Sequence, residues 1–182
     1  MKRDRALVLA LLLLLFAAVS FIAERLSEPS AGHITPIAAR KPMPALALTD
    51  TANRPWTVTQ HRGQIVLINF WATWCGPCLE EIPGLVSLAQ TPTLKDQAIL
   101  GISLDAGGNT PANQAKVTAF AGRFHVNYPL AFPPSGSHME FGVEAIPTTL
   151  LIDRHGRIAK TYLGAVRRQV FQADIRQLLE EP

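Results

Sequence analysis

The sequence predicts an α/β domain: a central mixed sheet flanked by helices, with an N-terminal β-hairpin and a central insertion. The first observation behind this is the run Ile65-Val66-Leu67-Ile68-Asn69-Phe70, β-branched and aromatic enough for a strand covered on both faces. The second is the segment directly after it, Trp71-Ala72-Thr73-Trp74-Cys75-Gly76-Pro77-Cys78, where Pro77 suits the first turn of a helix, so that strand passes directly into helix. The third lies near the C-terminus. Residues 148–153 and 158–163 read as strands turning at His155-Gly156, and residues 170–179 read as a closing amphipathic helix.

Taken in order, the chain of 182 residues opens with Lys2, Arg3 and Arg5 ahead of residues 6–23, an uncharged and almost wholly apolar stretch. A helix of that length spans about 27 Å, close to the hydrocarbon thickness of a bilayer. The positive flank places the N-terminus in the cytoplasm and everything after Glu24 outside. A single-pass anchor over residues 1–23 is preferred to a cleaved signal peptide, because small residues at the needed spacing occur only inside the apolar run, at Ala18 and Ser20. Residues 24–41 are polar, with Ser27, Pro29, Ser30, Gly32 and Pro36, and read as a tether; residues 42–182 form the folded domain.

Within that domain, residues 45–48 and 56–58 flank Asp50-Thr51-Ala52-Asn53 as a β-hairpin. After the first core strand comes the helix bearing Cys78 and Glu81, with Pro83 inside it, then a strand over residues 98–104. Pro111 starts a helix reaching about Phe124 with apolar positions at Val117, Phe120 and Phe124. Residues 128–132 are a short extended piece, residues 133–137 a turn, and residues 138–141 a short helix. Net charge is +3, but setting aside the charged residues at positions 2–5 leaves fourteen basic against thirteen acidic residues, a balance that gives no footing to nucleic acid.

Both cysteines of the chain lie two residues apart at the strand-to-helix junction. A thiolate there meets unpaired backbone N–H groups and the positive end of the helix dipole. Cys75 is therefore the expected nucleophile, and Cys78, one turn into the helix, the expected resolving thiol. A permanent disulfide is disfavoured because so short a loop constrains the unfolded chain little. A metal site is disfavoured because thiolate sites usually draw more than two ligands, and His33, His61, His125, His138 and His155 are scattered. Glu81 lies three residues after Cys78, on the same helix face, where a carboxylate could exchange a proton with the thiol. Its neighbour Glu80 reads as surface. Pro147, in Ile146-Pro147 ahead of Thr148-Thr149-Leu150-Leu151-Ile152, opens a strand, and its residue pattern leaves cis and trans both open.

The two motifs together, with Phe141-Gly142-Val143, Asp153 and Gly156, resemble the TlpA/ResA-like branch of membrane-anchored thioredoxin-like proteins over residues 42–180. The resemblance implies a thioredoxin-like fold, with residues 105–142 as the family's central insertion. It implies a thiol-disulfide oxidoreductase on the extracytoplasmic, periplasmic side of the cytoplasmic membrane. It also implies a cis Ile146-Pro147 bond facing Cys75, and an acid/base role for Glu81 where cytosolic thioredoxins use an aspartate at the position of Asn69. Residues expected to touch substrate are Trp74, Gly76, Pro77, Ile146 and Pro147. No metal and no cofactor beyond the Cys75-Cys78 redox-active disulfide is expected.

Gly76-Pro77 is the dipeptide of reducing thioredoxins, so the resemblance points to a reductant. The implied partners are oxidised protein substrates, apocytochrome c with its C-x-x-C-H segment foremost, and a membrane thiol transporter as electron donor. A disulfide-forming oxidant, an anchored Cu(I) carrier and a thiol peroxidase are the alternatives. Two positions depart from the family's pattern: Ala145, where many members have glycine, and Thr148, where related cytochrome-maturation thioredoxins carry an acidic residue.

Overall fold

Strand β4 (Ile65–Trp71) is buried along its whole length and sets the layering. Its side chains alternate between two faces, as the strand period requires. Val66, Ile68 and Phe70 enter a core with Leu48 and Trp56 of the N-terminal hairpin, while Ile65 and Leu67 enter a second core with Leu85, Leu88, Phe171, Ile175 and Leu178. Asn69 falls on this second face, two residues on from Leu67, and is the polar residue of the strand.

The computed structural model describes residues 33–92, 97–133 and 141–182, together with Leu15 and Phe16. The expected anchor, apart from Leu15 and Phe16, and residues 24–32 of the expected tether lie outside the described residues. So do most of the expected turn over 133–137 and helix over 138–141. Among the described residues no helix is long and apolar enough to cross a membrane.

The main sheet holds β1 (Lys41–Pro42), β8 (Arg157–Leu163), β7 (Thr148–Ile152), β4, β5 (Gln97–Ser103) and β6 (Leu130–Ala131) in that spatial order. β4, β5 and β6 run parallel, and β7 and β8 are antiparallel to their neighbours. The sheet is thus mixed. A separate antiparallel hairpin, β2 (Ala47–Thr49) with β3 (Pro55–Thr57), covers one face, as expected. The opposite face carries α1 (Gly76–Ala89) and α3 (Arg168–Glu180).

α1 buries Cys78, Glu81, Ile82, Leu85 and Leu88, the spacing of one helix face, and continues through Pro83. α2 (Pro111–Phe124) has the expected bounds: the Thr110 hydroxyl accepts from Asn113 N–H, Pro111 takes the first position, and His125 ends the helix in the left-handed region at φ 53°. Phe120 stacks on Phe124 at 4.4 Å and packs against Trp71 at 4.6 Å between ring centroids, fixing α2 over the end of β4. Of residues 128–132 only Leu130 and Ala131 join the sheet, opposite Gly101 and Ile102.

Val58–His61 forms a 3-10 turn, because Thr57 and Gln60 make a capping box: Gln60 N–H donates to the Thr57 hydroxyl and Thr57 N–H to the Gln60 side chain. The strand expected to run through Val58 therefore ends one residue earlier.

The boundary between tether and domain also needs correction, because residues 35–41 are already part of the fold. Thr35 N–H donates to Ala159 C=O, and β1 pairs with β8. The Arg40 guanidinium, 1% exposed, binds Asp153 at 3.1 Å and Glu181 at 2.6 Å, joining the N-terminal arm, the β7–β8 turn and the C-terminus. Removing one partner from a buried ion pair leaves an uncompensated charge. Arg40→Ala is expected to lower the unfolding free energy by about 3 kcal/mol, read as a shifted urea midpoint with an unchanged slope.

Candidate active site

β4 ends at Trp71, and the chain turns over Ala72 to Cys75, whose N–H donates to Ala72 C=O at 3.2 Å. That turn delivers Cys75 as the N-cap of α1, with its sulfur accepting the Cys78 N–H at 3.3 Å. Pro77 occupies the first helical turn, where the absence of its N–H costs nothing. The two sulfurs form a disulfide. Cys75 and Cys78 are almost wholly buried, within a cluster that includes Trp71, Ile82, Phe120 and Phe132. Around them Gly76 and Pro77 are exposed, and Trp74 projects outward at 66% exposure. The Cys78 N–H aimed at the Cys75 sulfur is the kind of donor that would stabilise a thiolate there.

The register of β7 against β4 brings in the second motif. Phe70 pairs with Thr148, so Pro147 lies level with Trp71, the last residue of β4. The Ile146-Pro147 bond is cis. Pro147 C=O accepts from Gly164 N–H at 2.8 Å, and the Thr148 hydroxyl donates to Ala145 C=O at 2.7 Å, so the departure at position 148 serves to close this loop on itself. Ile146 packs against the cysteine cluster. Trp74, Gly76, Pro77, Ile146 and Pro147 are thereby grouped at the end of the sheet that carries the disulfide.

Glu81 and Glu80 diverge sharply: Glu80 is exposed and Glu81 is 3% exposed. The Glu81 carboxylate accepts from the Asn69 amide at 2.8 Å and from Val166 N–H at 2.9 Å. Asn69 donates its other amide hydrogen to the Thr149 hydroxyl at 2.8 Å, so the strand-face asparagine bridges β7 and α1. Burial pushes the Glu81 carboxyl up to about 7, the two donors pulling it back only in part. Burial, together with the field of Glu81, also pushes the Tyr128 hydroxyl up. A carboxyl that titrates near neutrality, one turn along the buried face from Cys78, has the properties of a proton acceptor and donor in thiol exchange.

A second buried carboxylate was not foreseen from the residues, which place Asp105 only at the start of a loop. Asp105, 3% exposed, accepts from Thr73 N–H at 3.1 Å, the Thr73 hydroxyl at 2.6 Å, the Ser103 hydroxyl at 2.8 Å and Lys116 of α2. Burial acts to raise its carboxyl, but Lys116, Thr73 and Ser103 outweigh it and hold the group below the usual carboxylate range. The available signal was Ser103-x-Asp105, a polar pair closing an apolar strand. Among the described residues no group of three or more His, Cys, Asp or Glu side chains is placed to hold a metal ion.

The Glu81 proton has a measurable consequence for stability. The folded chain holds it more tightly than the unfolded chain, whose carboxyl has the ordinary value of 4.5. Its contribution to folding is therefore complete below pH 4.5 and lost as pH rises through about 7. Against a Glu81→Gln variant, the wild type is expected to lose on the order of 3 kcal/mol of unfolding free energy across that window, measured by denaturant unfolding at a series of pH values.

Comparison with known proteins agrees with this geometry. The redoxin family matches residues 38–179. The chain is 31% identical over 185 residues to the thiol-disulfide oxidoreductase ResA of Geobacillus thermodenitrificans, covering 99% of this chain and 98% of that protein. It is 29% identical over 189 residues to ResA of Geobacillus kaustophilus, again covering 99% and 98%. Among solved structures, a DsbF homologue from Corynebacterium diphtheriae superposes with a TM-score of 0.69 at 22% identity, covering 83% of this chain and 96% of that one. StoA from Bacillus subtilis superposes at 0.61 and 22% identity, covering 71% and 94%. The fold is thus thioredoxin-like, and the chain belongs to the redoxin family, within its ResA-like thiol-disulfide oxidoreductases.

Proposed function

We propose that the chain acts as a membrane-anchored reductant of protein disulfides on the extracytoplasmic side, with apocytochrome c as its leading substrate. The observation that carries this reading is the Cys75-Cys78 pair, bridged by Gly76-Pro77 at the head of α1 and set beside the cis Ile146-Pro147 bond. In the reduced protein the Cys75 thiolate attacks one sulfur of the substrate disulfide. A mixed disulfide forms, and the other substrate sulfur leaves as a thiolate and takes up a proton. Cys78 gives its proton to the Glu81 carboxylate and attacks the Cys75 sulfur, closing the enzyme disulfide and releasing the second substrate thiol. Two electrons pass from the dithiol to the substrate.

Trp74, Gly76, Pro77 and Pro147 supply the rim against which an extended substrate segment lies, with the backbone of Ile146 available for strand addition. Residues 6–23 supply the anchor, and a membrane thiol transporter returns the enzyme to the dithiol state. No further cofactor enters the cycle.

Three measurements on the full chain test it. The reduction potential, titrated against dithiothreitol with tryptophan fluorescence as the probe, is expected below about −220 mV, whereas a value near −120 mV would make the protein an oxidant. A Cys78→Ser variant is expected to accumulate a mixed disulfide with an oxidised C-x-x-C-H peptide, and Glu81→Gln to slow the resolving step by about tenfold or more near pH 7. If Cys78→Ser traps no such adduct, apocytochrome c is the wrong substrate.

A further inference from the structure

The turn that presents Cys75 is held from a direction that the disulfide, Glu81 and Pro147 do not account for. Its first central residue, Thr73, gives both its N–H and its hydroxyl to the Asp105 carboxylate. Asp105 in turn is held by Ser103 at the end of β5 and by Lys116 of α2. The same helix also packs Phe120 against Trp71, the last residue of β4 before the turn. The Asp105 side chain is 1% exposed, so each of these donors meets an acceptor that water does not compete for.

We propose that Asp105 is a positioning residue for thiol-disulfide exchange, acting through Thr73 to fix the turn that places the Cys75 sulfur on the α1 N-terminus and turns Trp74 outward. Thr73 lies two residues before Cys75, so its Cα is within about 8 Å of the Cys75 Cα. A rotation at Thr73 therefore moves the sulfur relative to the Cys78 N–H that it accepts at 3.3 Å. Two bonds from one residue to one carboxylate suppress that rotation, because both must break together. Lys116 supplies the countercharge, so the brace adds little net negative charge beside a sulfur that must itself become an anion. The region from Asp105 to Phe124 thereby serves as the abutment of the nucleophile turn.

The test is a pair of substitutions at Thr73 in the full chain, with Cys75 alkylation by iodoacetamide followed against pH on the reduced protein. Thr73→Val keeps the shape and removes the hydroxyl bond, while Thr73→Ser keeps the hydroxyl. Thr73→Val is expected to raise the apparent pKa of Cys75 by about one unit, slowing alkylation near pH 7 about tenfold. Thr73→Ser restores the wild-type profile.

Asp105→Asn adds a discriminating sign. Loss of a nearby negative charge by itself would lower the pKa of Cys75, whereas loss of the brace raises it. A rise in Asp105→Asn that matches Thr73→Val supports positioning. A fall in Asp105→Asn with an unchanged Thr73→Val profile would overturn it in favour of a through-space charge, as would a Thr73→Ser profile displaced as far as that of Thr73→Val. Should Asp105→Asn not fold, the Thr73 pair decides alone.

Discussion

Hiding the Glu81 carboxyl beneath α1 is the constraint around which the other parts of the site are arranged. A carboxylate taken out of water needs donors, and the two it has come from different elements: the Asn69 amide on β4 and the Val166 N–H just before α3. The helix that bears the cysteines is thus tied to the central strand beneath it and to the segment after β8. From Val166 the connection runs back two residues to Gly164, whose N–H holds Pro147 C=O. Helix, central strand and cis-proline loop meet through one acidic side chain.

The site uses two buried carboxylates, and their surroundings divide the work between them. Glu81 receives neutral donors only, an amide and a backbone N–H, so burial prevails and the group is poised to gain or lose a proton near neutrality. Asp105 receives a lysine ammonium as well as two hydroxyls and a backbone N–H, so it stays ionised and its bonds persist. The outcomes are opposite because Glu81 lies deeper with two neutral donors, whereas Asp105 has more donors and one of them is charged. One group is suited to chemistry and the other to architecture.

How much of this could be read from the residues follows the range of the interactions. β4 and α2 were legible because their signals are local: an unbroken apolar run in one, a threonine cap and a first-turn proline in the other. The cysteine pair and the burial contrast between Glu80 and Glu81 followed from helical spacing once α1 was placed. The geometry of Ile146-Pro147 was open on its own residues and came only with the family resemblance. Arg40 was invisible, since its partners lie 113 and 141 residues away and its neighbours are those of a polar tether. Asp105 was missed for the same reason, its reach to Thr73 spanning 32 residues across two parallel strands. The capping box at Thr57 and Gln60 was local, and it shortened β3 because the turn chemistry there outweighs strand propensity.

The Arg40 clasp sits beside Asp153, just past the end of β7 that pairs with Val66, whereas Thr148 at the other end of β7 pairs with Phe70 beside the disulfide. The clasp and the disulfide therefore lie at opposite ends of β7. Two ion pairs tie the N-terminal arm and the C-terminal residues to that end of the sheet, and none of their partners belongs to the nucleophile turn.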